Sequence, residues 1–180
     1  MAILVGSDVT TNYTDTGNSD YDTSAGKIYW LPYTAGTSGN VTTLGLYTQD
    51  MEWSDQQIKL LIADGSGNVL AATAAIAMNS SAAGWKTGSI SSTAVTSSST
   101  YRLGFMSNGS GDYTYVFGHS STTSVDRDNT GNTFASDPPA STIVSDFTSS
   151  YAQFLMYGDG TAGGGSIVPQ AMANYRMRAA

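Results

Sequence analysis

The chain has no cysteine, one glutamate, one histidine and three lysines among 180 residues, and each scarcity removes a class of chemistry. Without cysteine there is no disulfide framework, thiolate metal site or cysteine nucleophile. With His119 as the sole imidazole, a zinc site lacks nitrogen ligands. A Ser–His–Asp triad would have to use that same residue, and no Gly-x-Ser-x-Gly elbow surrounds any serine. A glycosidase needs two carboxylates across the scissile bond. Glu52 stands alone, with Asp50 two residues away in the polar run Gln49-Asp50-Met51-Glu52-Trp53-Ser54-Asp55, which reads as a solvated acidic loop. No enzymatic activity is expected.

Positive charge is equally sparse. Seven Lys and Arg face fourteen Asp and Glu, a net charge of −7, so the cationic footprint that neutralises phosphates is missing and nucleic acid is an unexpected partner. No apolar run approaches the roughly 20 residues of a membrane-spanning helix. The opening Met1-Ala2-Ile3-Leu4-Val5-Gly6-Ser7 has neither the basic flank nor the apolar length of a secretory signal. A protein of this kind that works outside a cell would leave it by another route, such as lysis.

What the chain has in quantity is 25 Ser, 23 Thr and 20 Gly, with 40% apolar residues, enough for a core. Residues that disfavour helix interiors are abundant, and Glu and Lys, which would face solvent on a helix, are rare. The expectation is an all-β chain. Alternating or apolar runs bounded by Gly/Ser/Thr/Asn/Asp clusters predict eight strands, at Lys27–Tyr33, Val41–Tyr47, Gln57–Ala63, Asn68–Ala74, Trp85–Ile90, Thr100–Ser107, Asp112–Gly118 and Ala152–Tyr157. Eight such strands fit an antiparallel, jelly-roll-like β-sandwich. Asp64-Gly65-Ser66-Gly67-Asn68 predicts a hairpin turn, because its glycines tolerate positive φ. Ser107-Asn108-Gly109-Ser110-Gly111 predicts a second one. On the strands flanking this second turn, Tyr101, Leu103 and Phe105, and then Tyr113, Tyr115 and Phe117, each fall on one face by the period-2 rule.

Around this body, residues 1–25 read as an acidic N-terminal arm or edge strand, 26–157 as the sandwich, 158–166 as a Gly-rich linker and 167–180 as an anchoring tail. The tail carries Ile167, Val168, Pro169, Met172 and Tyr175 with Arg176 and Arg178 and no acid, whereas the first 22 residues carry four Asp and no base. That polarity suits arms that dock on neighbouring copies. The connection from Ser120 to Ser150, about thirty residues long, is unusual in a compact domain and is expected to be functional or docked. Within it Asp126, Asp128 and Asn129 precede Gly131, an oxygen-ligand spacing that could hold calcium, although the closing Glu is absent and Arg127 opposes it. Among eleven Tyr and three Trp, Trp53, Tyr113 and Tyr115 are the candidate rings for stacking on a sugar. Trp85, which opens a strand, reads as structural.

The runs Leu44-Gly45-Leu46-Tyr47, Ile58-Lys59-Leu60-Leu61-Ile62-Ala63-Asp64-Gly65-Ser66-Gly67-Asn68-Val69-Leu70, Gly84-Trp85-Lys86-Thr87 and Tyr101-Arg102-Leu103-Gly104-Phe105 resemble a lectin-like jelly-roll sandwich. Such modules occur in carbohydrate-binding domains and in surface proteins of tailed bacteriophages, and the segment from Ile167 to Arg178 is similar to endings of phage structural proteins. The resemblance implies a structural protein of the virion surface, a capsid decoration protein that assembles through its arms with its own copies and a major capsid or other virion protein. The alternative it leaves open is a carbohydrate-binding module or receptor-binding adhesin of a tail fibre.

Overall fold

The computed structural model describes residues 2–7, 19–22, 27–48, 56–78, 83–108, 113–116, 118–119, 125–128, 133–135 and 153–163. These form an all-β sandwich of two antiparallel sheets.

One sheet holds β1 (Ala2–Gly6), β2 (Ser19–Asp22), β4 (Gly39–Thr48), β8 (Gly84–Val95), β10 (Tyr113–Val116) and β14 (Met156–Ala162). Its spine is β4, whose two edges are taken by β8 and β14, and β1 pairs with the far side of β14. β10 joins at the end of β4 through Val116↔Thr48 and carries β2 beyond it as the outermost strand. The second sheet holds β3 (Ile28–Thr34), β5 (Gln57–Asp64), β6 (Val69–Ala72), β7 (Ile76–Ala77), β9 (Thr100–Ser107) and β12 (Asp126–Asp128), in the order β12-β3-β9-β5, with β6 and β7 sharing the outer edge of β5. A short pair, β11 (Gly118–His119) with β13 (Gln153–Phe154), stands apart.

The period-2 rule places the core. Leu44 and Leu46 of β4 face inward, as do Leu4, Val5 and Met156 of the same sheet. They meet Tyr29 and Leu31 of β3, Ile58, Leu60 and Ile62 of β5, and Tyr101, Leu103 and Phe105 of β9. Phe105 lies at the centre, stacked on Tyr29 at 5.6 Å and edge-on to Phe154 at 5.0 Å. The second sheet is also covered on its outer side. Ile28, Trp30, Leu61, Ala63 and Met106 form a smaller core there, against which Val69, Ala72 and Phe134 pack. Burial on both faces explains why β3 and β5 read as continuous apolar runs rather than as alternating ones. Lys59 sits among these outer residues only 6% exposed, its ammonium 5.3 Å from the Phe134 ring, a cation–π contact in a largely dry setting. Phe134 belongs to the long 120–150 connection, so the described part of that connection is docked.

The first predicted hairpin forms as expected between β5 and β6. Asp64 closes it: one carboxylate oxygen accepts from the Ser66 and Asn68 N–H groups, both at 2.9 Å, and the other from the Asn68 amide at 2.8 Å. The Asn68 side-chain donor, seconded by these backbone donors, holds the Asp64 pKa below its ordinary value. Where β6 gives way to β7, Thr73 bridges the gap. Its N–H donates to the Leu60 carbonyl and its hydroxyl accepts from the Leu60 N–H at 3.0 Å, both inside the protein.

Three expectations are corrected. The second predicted hairpin does not exist: β9 is enclosed by β3 and β5, whereas β10 belongs to the opposite sheet, so the chain crosses between sheets after Ser107. Tyr101, Leu103 and Phe105 do face the core as expected. Of the two readings offered for the start of the chain, Ala2–Gly6 takes the edge strand, with Leu4 and Val5 in the core. The presumed linker opens with strand, since residues 158–162 continue β14 between β1 and β4. At Gly158 a side chain would collide with Val5 and Val41, so glycine there answers a packing demand. Lastly, β8 runs on to Val95 instead of ending at Ile90; its polar Ser91-Ser92-Thr93 stretch passes the bulge between Val41 and Thr43.

Candidate functional site

The inward residues of β4 leave Thr43, Gly45 and Tyr47 on the outer face of its sheet, and the pairing registers extend that face over three strands. Tyr47 lies opposite Trp85 of β8; Gly45 lies between Tyr157 of β14 and Thr87 of β8; Thr43 lies between Asp159 and Ser89. Three rows of outward residues result, aromatic at one end and hydroxyl- and carboxylate-bearing at the other.

Trp85 is the middle ring of the aromatic end. Its centroid is 5.1 Å from Tyr47 and 4.7 Å from Tyr157, with planes inclined at 65° and 63°. Such edge-to-face contacts place the positive ring edge against a negative ring face. All three rings are half-buried, and Thr87 and Ser89 beside them are exposed. Gly45 makes the arrangement possible. The Tyr157 ring lies across it, and a Cβ at this position would be 2.5 Å from Tyr157 Cε1. The inner counterpart is Trp30, whose ring lies in the same way over its cross-strand partner Gly104 but is wholly enclosed by the outer core.

The two ends of the sandwich differ. At one, the β3–β4 and β8–β9 turns are knitted together: Ala35 donates to the Ser99 carbonyl, Ser98 to the Ala35 carbonyl, and the Ser97 N–H to the Ser38 hydroxyl. The Thr96 N–H donates to the Tyr101 hydroxyl at 2.9 Å, Gly36 donates to Leu4, and Gly163, where the tail departs, donates to Ser38 at 2.7 Å. The segments 49–55, 79–82 and 109–112 all spring from the opposite end, from Thr48, Met78 and Asn108. Tyr47 and Trp85 are at this second end.

The residues singled out in the sequence are distributed as follows. Trp53, together with Asp50 and Glu52, lies outside the described residues. Tyr113 and Tyr115 are on β10, opposite Asp22 and Asp20 of β2. Asp126 and Asp128 are strand residues of β12, paired with Trp30 and Ile28. The backbone of Asp126–Asp128 is an extended ladder, Asn129 and Gly131 of the same spacing lie outside the described residues, and among the described residues no group of three or more His, Cys, Asp or Glu gathers. Ile167, Val168, Pro169, Met172, Tyr175, Arg176 and Arg178 lie outside the described residues. Trp85 taken by itself as a strand-opening ring gives no sign of the Tyr47–Trp85–Tyr157 face. The available signal was an outward aromatic on each of three strands, next to inward Leu46 in β4 and inward Met156 in β14. Compared with protein-family models and with curated proteins, the chain matches none.

Proposed function

We propose that this protein is a surface module of a virion, of the kind that decorates the capsid of a tailed phage, with a β-sandwich body held in place through its C-terminal tail. The observation that carries the reading is the division of labour between the two ends. Gly163 is hydrogen-bonded into the knitted end, so the segment that bears Ile167, Val168 and the two arginines departs from the rigid pole. The segments 49–55, 79–82 and 109–112 leave from the other pole. A body tethered in this way turns its second end outward. The Ser- and Thr-rich surface and the absence of cysteine suit a protein released by lysis and exposed thereafter. Its partners in this reading are its own copies and a major capsid protein, and its role is mechanical, spreading load through docked tails.

The test is biochemical. In density-banded particles from the source lysate, quantitative mass spectrometry should find the chain at a fixed ratio to the major capsid protein. A chain lacking residues 167–180 should fold and yet fail to join particles. Absence of the full chain from particles refutes the virion reading, and normal incorporation of the shortened chain refutes the tail's role.

A further inference from the structure

We infer that the outer face built from Tyr47, Trp85 and Tyr157 is a binding site for a neutral pyranose saccharide. The inference is independent of the virion reading, uses none of Trp53, Tyr113 and Tyr115, and gives Trp85, read from the sequence as structural, a binding role.

The chemistry of the face selects the ligand. A pyranose has one face of C–H groups with slight positive charge, which pack on the negative face of an aromatic ring, and a rim of hydroxyls that need donors and acceptors. The site supplies both in adjoining rows: Tyr47 with Trp85, Tyr157 beside Gly45 and Thr87, then Asp159, Thr43 and Ser89. The Asp159 carboxylate has an oxygen, Oδ1, that accepts no hydrogen bond. That oxygen is buried, an acceptor left unmade inside a protein is costly, and a ligand hydroxyl that reaches it removes the cost. A protein partner would want apolar neighbours around the rings. Here the neighbours are hydroxyls and a carboxylate, and Leu70, on the other sheet, is the one large hydrophobic residue exposed among the described residues. No Lys or Arg occupies an outward position in these three rows, so nothing favours a phosphate or an acidic sugar. Two residues along a strand rise about 6.8 Å and neighbouring strands lie about 4.8 Å apart. Three rows on three strands are therefore about 14 Å by 10 Å, room for a short oligosaccharide and not only a monosaccharide.

The experiment titrates the full chain with the methyl glycosides and linear tetrasaccharides of glucose, galactose, mannose and N-acetylglucosamine, read by saturation-transfer NMR and calorimetry. At least one tetrasaccharide should bind with transfer concentrated on its C–H face. Trp85→Ala should weaken it tenfold or more. Because Trp85 also packs on two tyrosines, a second variant, Thr87→Arg, alters only an exposed side chain and covers the row of Gly45. It should abolish binding at unchanged melting temperature, whereas Trp53→Ala should leave the affinity within twofold. No binding across the panel, or binding that survives Thr87→Arg, overturns the inference. Loss on Trp53→Ala with retention on Trp85→Ala also overturns it and moves the sugar to the segment between β4 and β5.

Discussion

Two glycines in this protein lie under aromatic rings, and replacing each by alanine should have very different costs. At Gly104, an added Cβ runs into the Trp30 ring and comes within 2.6 Å of the Tyr29 carbonyl oxygen. Trp30 is fully enclosed and Tyr29 is 4% exposed, and a backbone carbonyl within a ladder cannot retreat. Overpacking of this sort costs about 1–3 kcal/mol and sometimes more. A backbone obstacle together with an enclosed indole puts Gly104→Ala near the top of that range, about 3 kcal/mol, or about 6–12 °C in melting temperature for a chain of this size. At Gly45 the obstacle is a half-buried ring, with Tyr157 Cε1 and Cζ at 2.5 and 2.6 Å. That ring can swing outward. Leaving Trp85 forfeits about 0.5–1.5 kcal/mol of aromatic contact, and replacing glycine in a strand returns about 0.4–1 kcal/mol through the unfolded chain. Gly45→Ala should therefore stay within about 1 kcal/mol of the parent. Urea denaturation followed by circular dichroism, with a check that the slope is unchanged, measures both variants. Equal destabilisation, or a larger loss at Gly45, would show that Tyr157 is as tightly held as Trp30 and would refute the contrast between the two outer faces.

Two further outcomes follow from hydrogen bonds. Thr73→Val removes the acceptor of the enclosed Leu60 N–H and should cost about 1–3 kcal/mol, whereas Thr73→Ser should recover most of it in the same denaturation assay. Asp64→Ala should cost about 1 kcal/mol, since its three short hydrogen bonds are open to water and screened. The Asp64 pKa is lowered in the folded state, so the unfolded chain takes up the proton first as pH falls. The stabilisation is complete above the unfolded value of about 3.9 and disappears as pH drops through the lower folded value. The stability difference between parent and Asp64→Ala should accordingly be constant above pH 5 and shrink toward pH 2; a difference independent of pH would disprove the role of the carboxylate.

Much of the fold was legible because it depends on local pattern. The bounds Thr100–Ser107 of β9 and the Asp64–Asn68 turn follow from alternation and from turn chemistry within a few residues. Partner choice was not legible. Tyr101, Leu103 and Phe105 announce a buried face, but nothing in the strand or in the Asn108-Gly109 sequence says that both of its edges are already occupied by β3 and β5. Glycine misled in β14, where Gly158 and Gly160 look like a flexible linker until Val5, Val41 and Asn40 are seen crowding them. The candidate site failed to show for a related reason. Tyr47, Trp85 and Tyr157 are far apart in sequence and meet only through the registers of β4 with β8 and β14, which no single window contains.

The pairing of Ala2 with Gly160 has a consequence for how the protein is made. β1 finds its neighbour only after nearly the whole sandwich that follows it has been synthesised, and β14 is also one of the two flanks of β4. Until then the growing chain carries an open backbone edge along Gly39–Leu46 and an apolar Leu4–Val5 pair whose strand partner is not yet made. Distant strand pairing is slow because loop closure must precede it, and open edges invite pairing with other chains. Closure of β14 between β1 and β4 is thus the step that ends the period of risk, and slow translation or truncation before residue 156 should divert the chain to aggregates.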